Sequence, residues 1–510
     1  MSEDKEAINR ANAQFQLANV WRIRGKQQLA IKAYQEALRA NEAHVPSALE
    51  LASLLLDAGR KEDALIVCIR TLDSNPYNIL LQRRISEIES IRSEVERDSV
   101  KAISGERDSR YRSGSQQDSL DPNASTVLFY TDCSGTDGAE QCGHIVMLDL
   151  IRAGYRVICV QGFANHHLVE ERTNNGISHY WIEEEDLYSS GVISGEIKAG
   201  DDDARIFRET SPDLILFSDG SPFSSLAAKQ QARQLGIPYL IWNHCVDEEW
   251  MKRCEPLAQE LESAFAGADE VIAVSRQNLE SLRESFPLSR TKGIVIHNGR
   301  PARFFSETSE ETRVRLRSEL SIPENAVICI TVARMEIMKG YQYLIESIKL
   351  LKNEPEWERL HFIWAGEGTL RSRLQAQVSE LSAEARVHFL GQRPDVDDLL
   401  GASDMFILPS QYEGMPLSVI EAMAKGLPVA ATAVSGTPDA LGDAGRLLEN
   451  PRVNKDRLVE QISKVVKDWA SQAEERAFIG AACKNRAMDL FSSSRMLEQY
   501  RKLIQDIIAR

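Results

Sequence analysis

The stretch LPSQYEGMPLSVIEAMAKGLPVAATAVSGTPD, residues 408–439, decides how this chain is read. An apolar run ends at Ser410, an acidic loop follows, and Pro416 stands in a first helical turn. Helical text then continues to Lys425, where Gly426 stops it. A second apolar run, PVAAT (428–432), comes next, so strand, helix and strand succeed one another as in a parallel crossover unit. Glu413 and Glu421 are eight positions apart. The first carboxylate falls at the mouth of the helix N-terminus and the second about one and a half turns inside, a pairing suited to gripping hydroxyls at both ends of a ligand. The amides of Gly414, Met415 and Leu417 at that N-terminus are placed to take phosphates between them.

The same rhythm extends outward in both directions. VLFYTD (127–132), RVICVQ (156–161), LILFSD (214–219), YLIWNH (239–244), EVIAVS (270–275) and GIVIHNG (293–299) are each followed by a polar or amphipathic stretch. The pattern restarts with AVICITVA (326–333), LHFIWAG (360–366), RVHFLG (386–391), MFILPS (405–410) and PVAAT. Continuous β-branched runs between helices predict buried parallel strands, and two such series in tandem predict an α/β protein of two Rossmann-like, doubly wound domains facing across a cleft. Ligands are then expected beyond the carboxyl ends of the strands. The segment SETSEETRVRLRSELSIPEN (306–325) is expected to be the hinge between them.

The first hundred residues follow another rule. Leu17, Ala18, Gly25, Ala30 and Leu38 recur as Leu51, Ala52, Gly59, Ala64 and Leu72, each at an offset of 34. Small residues at helical spacing let paired helices approach, Gly25 and Gly59 sit between them, and Trp21 and Tyr34 fill the groove. The block resembles two tetratricopeptide repeats, closed by Pro76 with Glu42 at the matching place in the first, and a helix near 77–97 is expected to cap them. Two repeats bury little surface alone, so docking on the rest of the chain or on another subunit is expected. Residues 98–124, rich in Ser, Asp, Arg and Gly, read as a linker. The expected organisation is therefore repeats with a cap (1–97), linker (98–124), first Rossmann-like domain (125–305), second Rossmann-like domain (306–490), and a terminal helix crossing back (491–510).

Composition narrows the function classes. The 510 residues carry 60 Lys and Arg against 76 Asp and Glu, a formal charge of −16, which argues against nucleic acid or anionic lipid as long-range partners. No apolar stretch reaches the length of a membrane span, and the first residues have neither a basic nor an apolar signal region, so a cytoplasmic protein is expected, with peripheral membrane association through a local patch still open. Eight scattered cysteines form no C-x-x-C pair, and the nine histidines show no metal-ligand spacing, which predicts no metal site. Asp201–Asp203 in a polar loop and Asp395–Asp397 at a helix start look like D-x-D metal motifs, but capping accounts for them better.

Against this background the chain resembles the family 4 glycosyltransferases of GT-B fold. Their E-x(7)-E motif appears as Glu413 to Glu421 within EGMPLSVIEAMAKGLPV, and the resemblance covers residues 125–510. It implies that Glu413 binds the donor sugar and Glu421 the ribose, with Gly414, Met415, Pro416 and Leu417 around the donor. VARMEIMKG matches the family's Arg-x(4)-Lys-Gly element, which implies that Arg334 and Lys339 hold the diphosphate and steady it as it leaves. AGEGTL (365–370) resembles a glycine-containing loop of the family, giving Gly366, and Gly391, Gln392 and Arg393 match its nucleotide-side loop. DCSGTDGAEQCG resembles the family's Gly-Gly-Ala-Glu turn, giving Gly135 and Gly138, with Asp137 where the family commonly has glycine. His244 stands where members place a histidine near the reacting sugar, and a satisfied core histidine is the alternative. VIHNGRPARFF resembles the family's N-G-V-D entry to the second domain, with Arg300 and Pro301 replacing Val and Asp.

The implied activity is a retaining, metal-independent hexosyl transfer from a nucleoside-diphosphate sugar to a glycan, lipid-linked or protein acceptor, with no further cofactor. The repeats offer a surface for an acceptor, a protein partner or a second subunit. Two alternatives are a nucleotide-sugar epimerase or hydrolase of the same fold, and an assembly protein that works through its repeats and carries an inactive sugar domain.

Overall fold

The protein is described by a computed structural model over residues 2–23, 26–41, 43–74, 81, 84, 124–132, 135, 137–162, 167–182, 201–246, 257–286 and 292–510. The apolar runs form two all-parallel sheets. The first has strands β1 (Thr126–Thr131), β2 (Arg156–Gly162), β3 (Ser178–Ile182), β4 (Leu214–Asp219), β5 (Tyr239–Asn243), β6 (Glu270–Ala273) and β7 (Ile294–Val295), in the order β3-β2-β1-β4-β5-β6-β7. The second has β8 (Val327–Val332), β9 (Leu360–Ala365), β10 (Val387–Gly391), β11 (Met405–Leu408), β12 (Val429–Thr432) and β13 (Arg446–Leu448), in the order β10-β9-β8-β11-β12-β13. In each, the order reverses direction once, between β1 and β4 and between β8 and β11, and such a switch opens a crevice at the strands' carboxyl ends.

Strands β1, β4, β9 and β11 are buried along their whole length, as sheets covered on both faces require. One apolar cluster runs from Phe129 and Trp242 of the first sheet to Phe406 of the second and Val419 on the helix Leu417–Ala424. A second cluster, with Tyr130, Phe217 and Phe265, covers the other face of the first sheet.

The chain divides into two compact units, and both sheets belong to one of them. The two passages of the chain between the sheets run side by side. Arg300 N donates to Phe491 O at 2.8 Å, Ser493 N donates to Arg300 O at 2.9 Å, and Gly299 N donates to Met496 Sδ at 3.2 Å. The final helix, Ser493–Ile508, is capped by Ser492 and lays Tyr500 on Trp242, with ring centroids 4.6 Å apart. Arg501 NH1 reaches both carboxylate oxygens of Asp149 at 2.7 Å, on the helix after β1. The sheets also meet through bare backbone. A Cβ on Gly414 would stand 1.7 Å from the carbonyl oxygen of His244, and one on Gly436 would stand 2.0 Å from that of Gly414.

The structure departs from three expectations. Residues 306–325 are no slack hinge: Glu310–Glu319 is a helix capped by Ser309, and Arg313 and Arg317 each bond an oxygen of Asp404 at 2.9 Å while Ile328 N donates to the same carboxylate at 2.8 Å. Asp201–Asp203 lie at the start of helix Asp201–Thr210 and not in a loop, and buried Asp203 accepts from Tyr130 OH at 2.8 Å. Asp395 precedes helix Val396–Gly401 without a side-chain cap bond, because Arg393 takes both its oxygens.

The other unit comprises the N-terminal helices together with Arg334–Tyr341 and Glu367–Gln377. Its helices are Ser2–Ile23, Gln27–Ala40, Val45–Asp57 and Lys61–Ser74. The small residues Ala18, Ala30, Ala37, Ala52 and Ala64 are fully buried where the helices close on one another. Tyr34 OH donates to Asn19 Oδ1 at 2.5 Å, and Ile337 packs against this cluster. Gly59 adopts a left-handed φ of 72°, which its turn requires. Gly25, Glu42, Pro76, the cap expected near 77–97 except residues 81 and 84, and the linker expected at 98–124 up to residue 123 lie outside the described residues.

Three stability tests follow from this packing. Asp404→Ala strands Arg317 among buried groups and is expected to cost about 3 kcal/mol, read by denaturant unfolding; a loss under about 0.5 kcal/mol would show the carboxylate to be dispensable. Gly414→Ala must push two backbones apart and is expected to cost about 2 kcal/mol or more, while Gly135→Ala, with nothing within 4 Å of the added methyl, is expected to be neutral. Burial holds the imidazoles of His244 and His361 down to about 4. Each takes up a proton near pH 6.5 when unfolded but near 4 when folded, so stability is present above 6.5 and is lost as pH falls, at up to about 1.4 kcal/mol per pH unit per group. The midpoint of thermal unfolding is expected to drop between pH 7 and pH 5, and His361→Gln to shallow that drop.

Candidate active site

The loop after β11 and the helix that follows carry both motif carboxylates. Helix Leu417–Ala424 starts after Pro416, whose extended backbone (φ −70°) suits an entry position, and nearly every side chain on it is buried. Glu413 is 8% exposed; its Oε1 accepts from Ser410 Oγ at 2.7 Å, and its amide donates to Ser435 Oγ at 3.3 Å. Ser410 is itself fixed, since its carbonyl accepts from Thr432 Oγ1 at 2.5 Å. Gly414, directly after Glu413, is the residue pressed on the His244 carbonyl, so the Glu413 loop and His244 are brought together. Met415 and Leu417 are buried in the core and serve as packing.

Glu421, the fifth residue of that helix and 6% exposed, meets Arg300: NH2 lies 2.6 Å from Glu421 Oε1 and 3.0 Å from Gln141 Oε1. Arg300 is buried too, and its guanidinium lies 4.7 Å over the ring of Phe304. The reading of the sequence missed this pair. Its one signal was the arginine standing in place of valine after Asn298-Gly299.

His244 follows β5 and is 7% exposed. Its Nε2 pairs with Ser218 Oγ at 2.9 Å, its ring lies 4.3 Å from that of Trp242, and Nδ1 has no hydrogen-bond partner among the described residues. Burial pushes the imidazole down to about 4, against a small opposing pull from Asp137, so the ring is neutral near pH 7. A neutral ring can donate or accept a hydrogen bond without adding charge.

At the first sheet's switch, Asp137 caps helix Gly138–Arg152, accepting from Ala139 N at 3.1 Å and Glu140 N at 3.2 Å. Those amides, which a glycine would have left open to a ligand, are thus spent inside the protein. A Cβ on Gly138 would stand 3.2 Å from Leu417 Cδ1, so the closest approach at Gly138 is to the second sheet's helix. Gly135 is exposed. Nearby, Glu140 and Arg172 form a fully buried pair at 2.7 Å, with Gln161 Oε1 accepting from Arg172 NH1 at 2.9 Å. Burial raises the Glu140 carboxyl to about 7 against the lowering pull of Arg172. Asp219 and Lys229 make a second such pair at 2.5 Å, and Asp132 accepts from Gly220 N at 2.9 Å and from Ser224 Oγ.

In the unit of the repeats, Arg334 follows β8 in the chain, and Lys339 ends a single 3-10 turn, Ile337–Lys339, before left-handed Gly340. This segment is zipped to the next loop. Met335 N donates to Glu367 O at 2.8 Å, Leu370 N donates to Met335 O at 2.9 Å, and Glu336 accepts from Thr369 N at 3.0 Å and Thr369 Oγ1 at 2.6 Å. A Cβ on Gly368 would collide with the Met335 backbone at 2.6 Å. Gly366 stays with the second sheet, donating to Gly391 O at 2.8 Å. Gln392 is exposed, and Arg393 is partly exposed and bonded to Asp395 at 2.8 Å and Glu319 at 2.9 Å, so its guanidinium also braces the loop. Among the described residues no group of three or more His, Cys, Asp or Glu side chains is placed to hold a metal ion, and no helix is long and apolar enough to cross a membrane.

Comparison with known proteins agrees with this architecture. The chain is 30% identical over 258 residues to the Bacillus subtilis glycosyltransferase TuaC, whose name assigns it to teichuronic acid biosynthesis, covering 50% of this chain and 62% of TuaC. It is 33% identical over 181 residues to mannosylfructose-phosphate synthase of Agrobacterium fabrum, covering 34% of this chain and 39% of that enzyme. The chain thus spans less than two thirds of the length of either relative. Among solved structures, Anabaena HepE in complex with UDP and glucose superposes with a TM-score of 0.61 at 20% identity, covering 75% of this chain and all of that one. A glycosyltransferase from Rickettsia africae gives 0.58 at 20%, covering 76% of this chain and 99% of that one. At that identity the likeness is one of fold, the GT-B arrangement of two Rossmann-like sheets. Residues 137–303 match Glycosyltransferase Family 4 and residues 313–485 match Glycosyl transferases group 1, so the chain carries these two glycosyltransferase domains in succession.

Proposed function

We propose that this protein is a retaining hexosyltransferase that moves a sugar from a nucleoside-diphosphate sugar to a glycan, lipid-linked or protein acceptor. The observation that carries the reading is Glu413, a nearly buried carboxylate held by Ser410 at the carboxyl end of β11, with its loop seated on neutral His244. Leaving-group departure puts positive charge on the sugar ring and negative charge on the diphosphate. A fixed carboxylate beside the first lowers the barrier, as do cations on the second. Glu413 takes the first role, and Arg334 with Lys339 the second, without a metal. His244 offers a hydrogen bond to the sugar, and Glu421 holds the ribose. Gly135, Gly138, Gly366, Gln392, Pro416 and the amides of Gly414, Met415 and Leu417 line the donor, Gln392 on the base side. The HepE complex with UDP and glucose makes a uridine donor the first to try.

The helical repeats resemble tetratricopeptide repeats, and in this reading they present the acceptor or a partner, another copy of the chain included, to a cytoplasmic enzyme. Their outer surface keeps large apolar side chains such as Leu17 and Leu29 exposed, as an incomplete solenoid does.

Thermal unfolding with UDP, GDP and ADP tests the donor reading. A nucleotide at 100 times its dissociation constant is expected to stabilise the protein by about 2.7 kcal/mol, and Glu421→Ala to erase that shift. No shift with any of the three would overturn the assignment. Glu413→Ala is expected to abolish nucleotide release from the matching nucleotide sugar, by at least about 100-fold in kcat, with the fold intact by circular dichroism; undiminished turnover in that variant would remove Glu413 from the mechanism.

A further inference from the structure

Arg300 lies outside the roles proposed above. It enters on the chain passage from the first sheet, is 3% exposed, and reaches the second sheet's helix to pair with Glu421 Oε1 at 2.6 Å. The same nitrogen donates to Gln141 of the first sheet's helix at 3.0 Å. Phe304 stacks beneath the guanidinium, and the backbone of Arg300 is bonded to Phe491 and Ser493 of the returning chain passage, so the side chain starts from a fixed root. Arg300 Nε has no hydrogen-bond partner among the described residues.

Tying the sheets together does not explain such a pair. Arg501 on Asp149, the paired chain passages and the Gly414 contact already do that, and a buried ion pair is commonly no more stable than the apolar contact that could replace it. What the pair does is orient one carboxylate: Arg300 engages Oε1 from a fixed root and so sets the plane from which the carboxylate can accept. An ionised acceptor makes the stronger hydrogen bond to a hydroxyl.

We propose that Arg300 is a positioning residue for the donor nucleotide, presenting the Glu421 carboxylate to a ribose hydroxyl; this rests on the reading of Glu421 as the ribose ligand. The test is calorimetric titration of UDP, GDP and ADP, each beside its 2′,3′-dideoxy counterpart, into the wild type, Glu421→Gln, Arg300→Met and Arg300→Lys. For the nucleotide that binds, the wild type is expected to favour the ribose form by about tenfold or more, and Glu421→Gln to lose that preference. Arg300→Met is expected to lose most of it while its affinity for the dideoxy form stays within about twofold of wild type, and Arg300→Lys to retain a part. Equal weakening of both forms in Arg300→Met, or no change in either, overturns the positioning role and leaves Glu421 as the ribose ligand. Absence of a ribose preference in the wild type, an undiminished preference in Glu421→Gln, or no binding of any nucleotide overturns the reading of Glu421 and this proposal with it. Where Arg300→Met does not fold, Arg300→Lys and Gln141→Leu decide: an undiminished ribose preference in both overturns the role.

Discussion

The two-sheet unit depends on a contact that contains no side chain. The backbone at Gly414 lies so close to the His244 carbonyl that a methyl group would overlap it, and Gly436 closes on Gly414 from beyond. Close backbone approach of this kind is open only to glycine, and it fixes separation and register together. Because Glu413 immediately precedes Gly414, the contact that joins the sheets also sets the height at which the carboxylate stands over the crevice. The neighbouring serines then act on a loop whose position is already determined: Ser410 and Ser435 hold Glu413 through its carboxylate and its amide.

Buried charge is organised around the same crevice. Glu140 with Arg172 and Asp219 with Lys229 are fully buried pairs near the carboxyl ends of β1 and β4, and burial, helped by the nearby Asp137 and Asp132 charges respectively, raises both carboxyls to about 7 despite their cations. Such pairs are a poor source of stability, since desolvation offsets most of the attraction, but they have few alternative geometries. Lys229 is further tied to the Ser224 carbonyl at 2.6 Å, and Ser224 to Asp132, so the loop after β4 is held by a chain of polar contacts that apolar packing would leave free to slide.

The sheets were legible because parallel strands covered on both faces are written as unbroken apolar runs, and eleven of the strands coincide with such runs. β3 and β13 escaped notice for physical reasons. SHYWI opens on a serine and a histidine, and RLL is three residues at a sheet edge with two of them exposed, so neither forms a run. The E-x(7)-E stretch was legible because glycine, proline and small residues surround it. Its partners were not. Arg300 meets Glu421 across 121 positions, and Asp137 turned from a departure into a helix cap only once the helix start was seen. Residues 306–325 looked like a hinge because they are charged, yet the charge is what anchors them, through two arginines on the single carboxylate of Asp404.

The two motif glutamates are similar in burial and opposite in surroundings, which bears on how one pair of carboxylates could divide the work. Glu413 accepts from the Ser410 hydroxyl, which fixes one oxygen of a carboxylate suited to face a sugar ring turning cationic. Glu421 is compensated by Arg300, so its field is largely cancelled and what remains is a directed acceptor, the state that suits a neutral hydroxyl. The placement of Ser410 beside the first carboxylate and of Arg300 beside the second, as much as the spacing of the glutamates, separates catalysis from recognition in the mechanism proposed here.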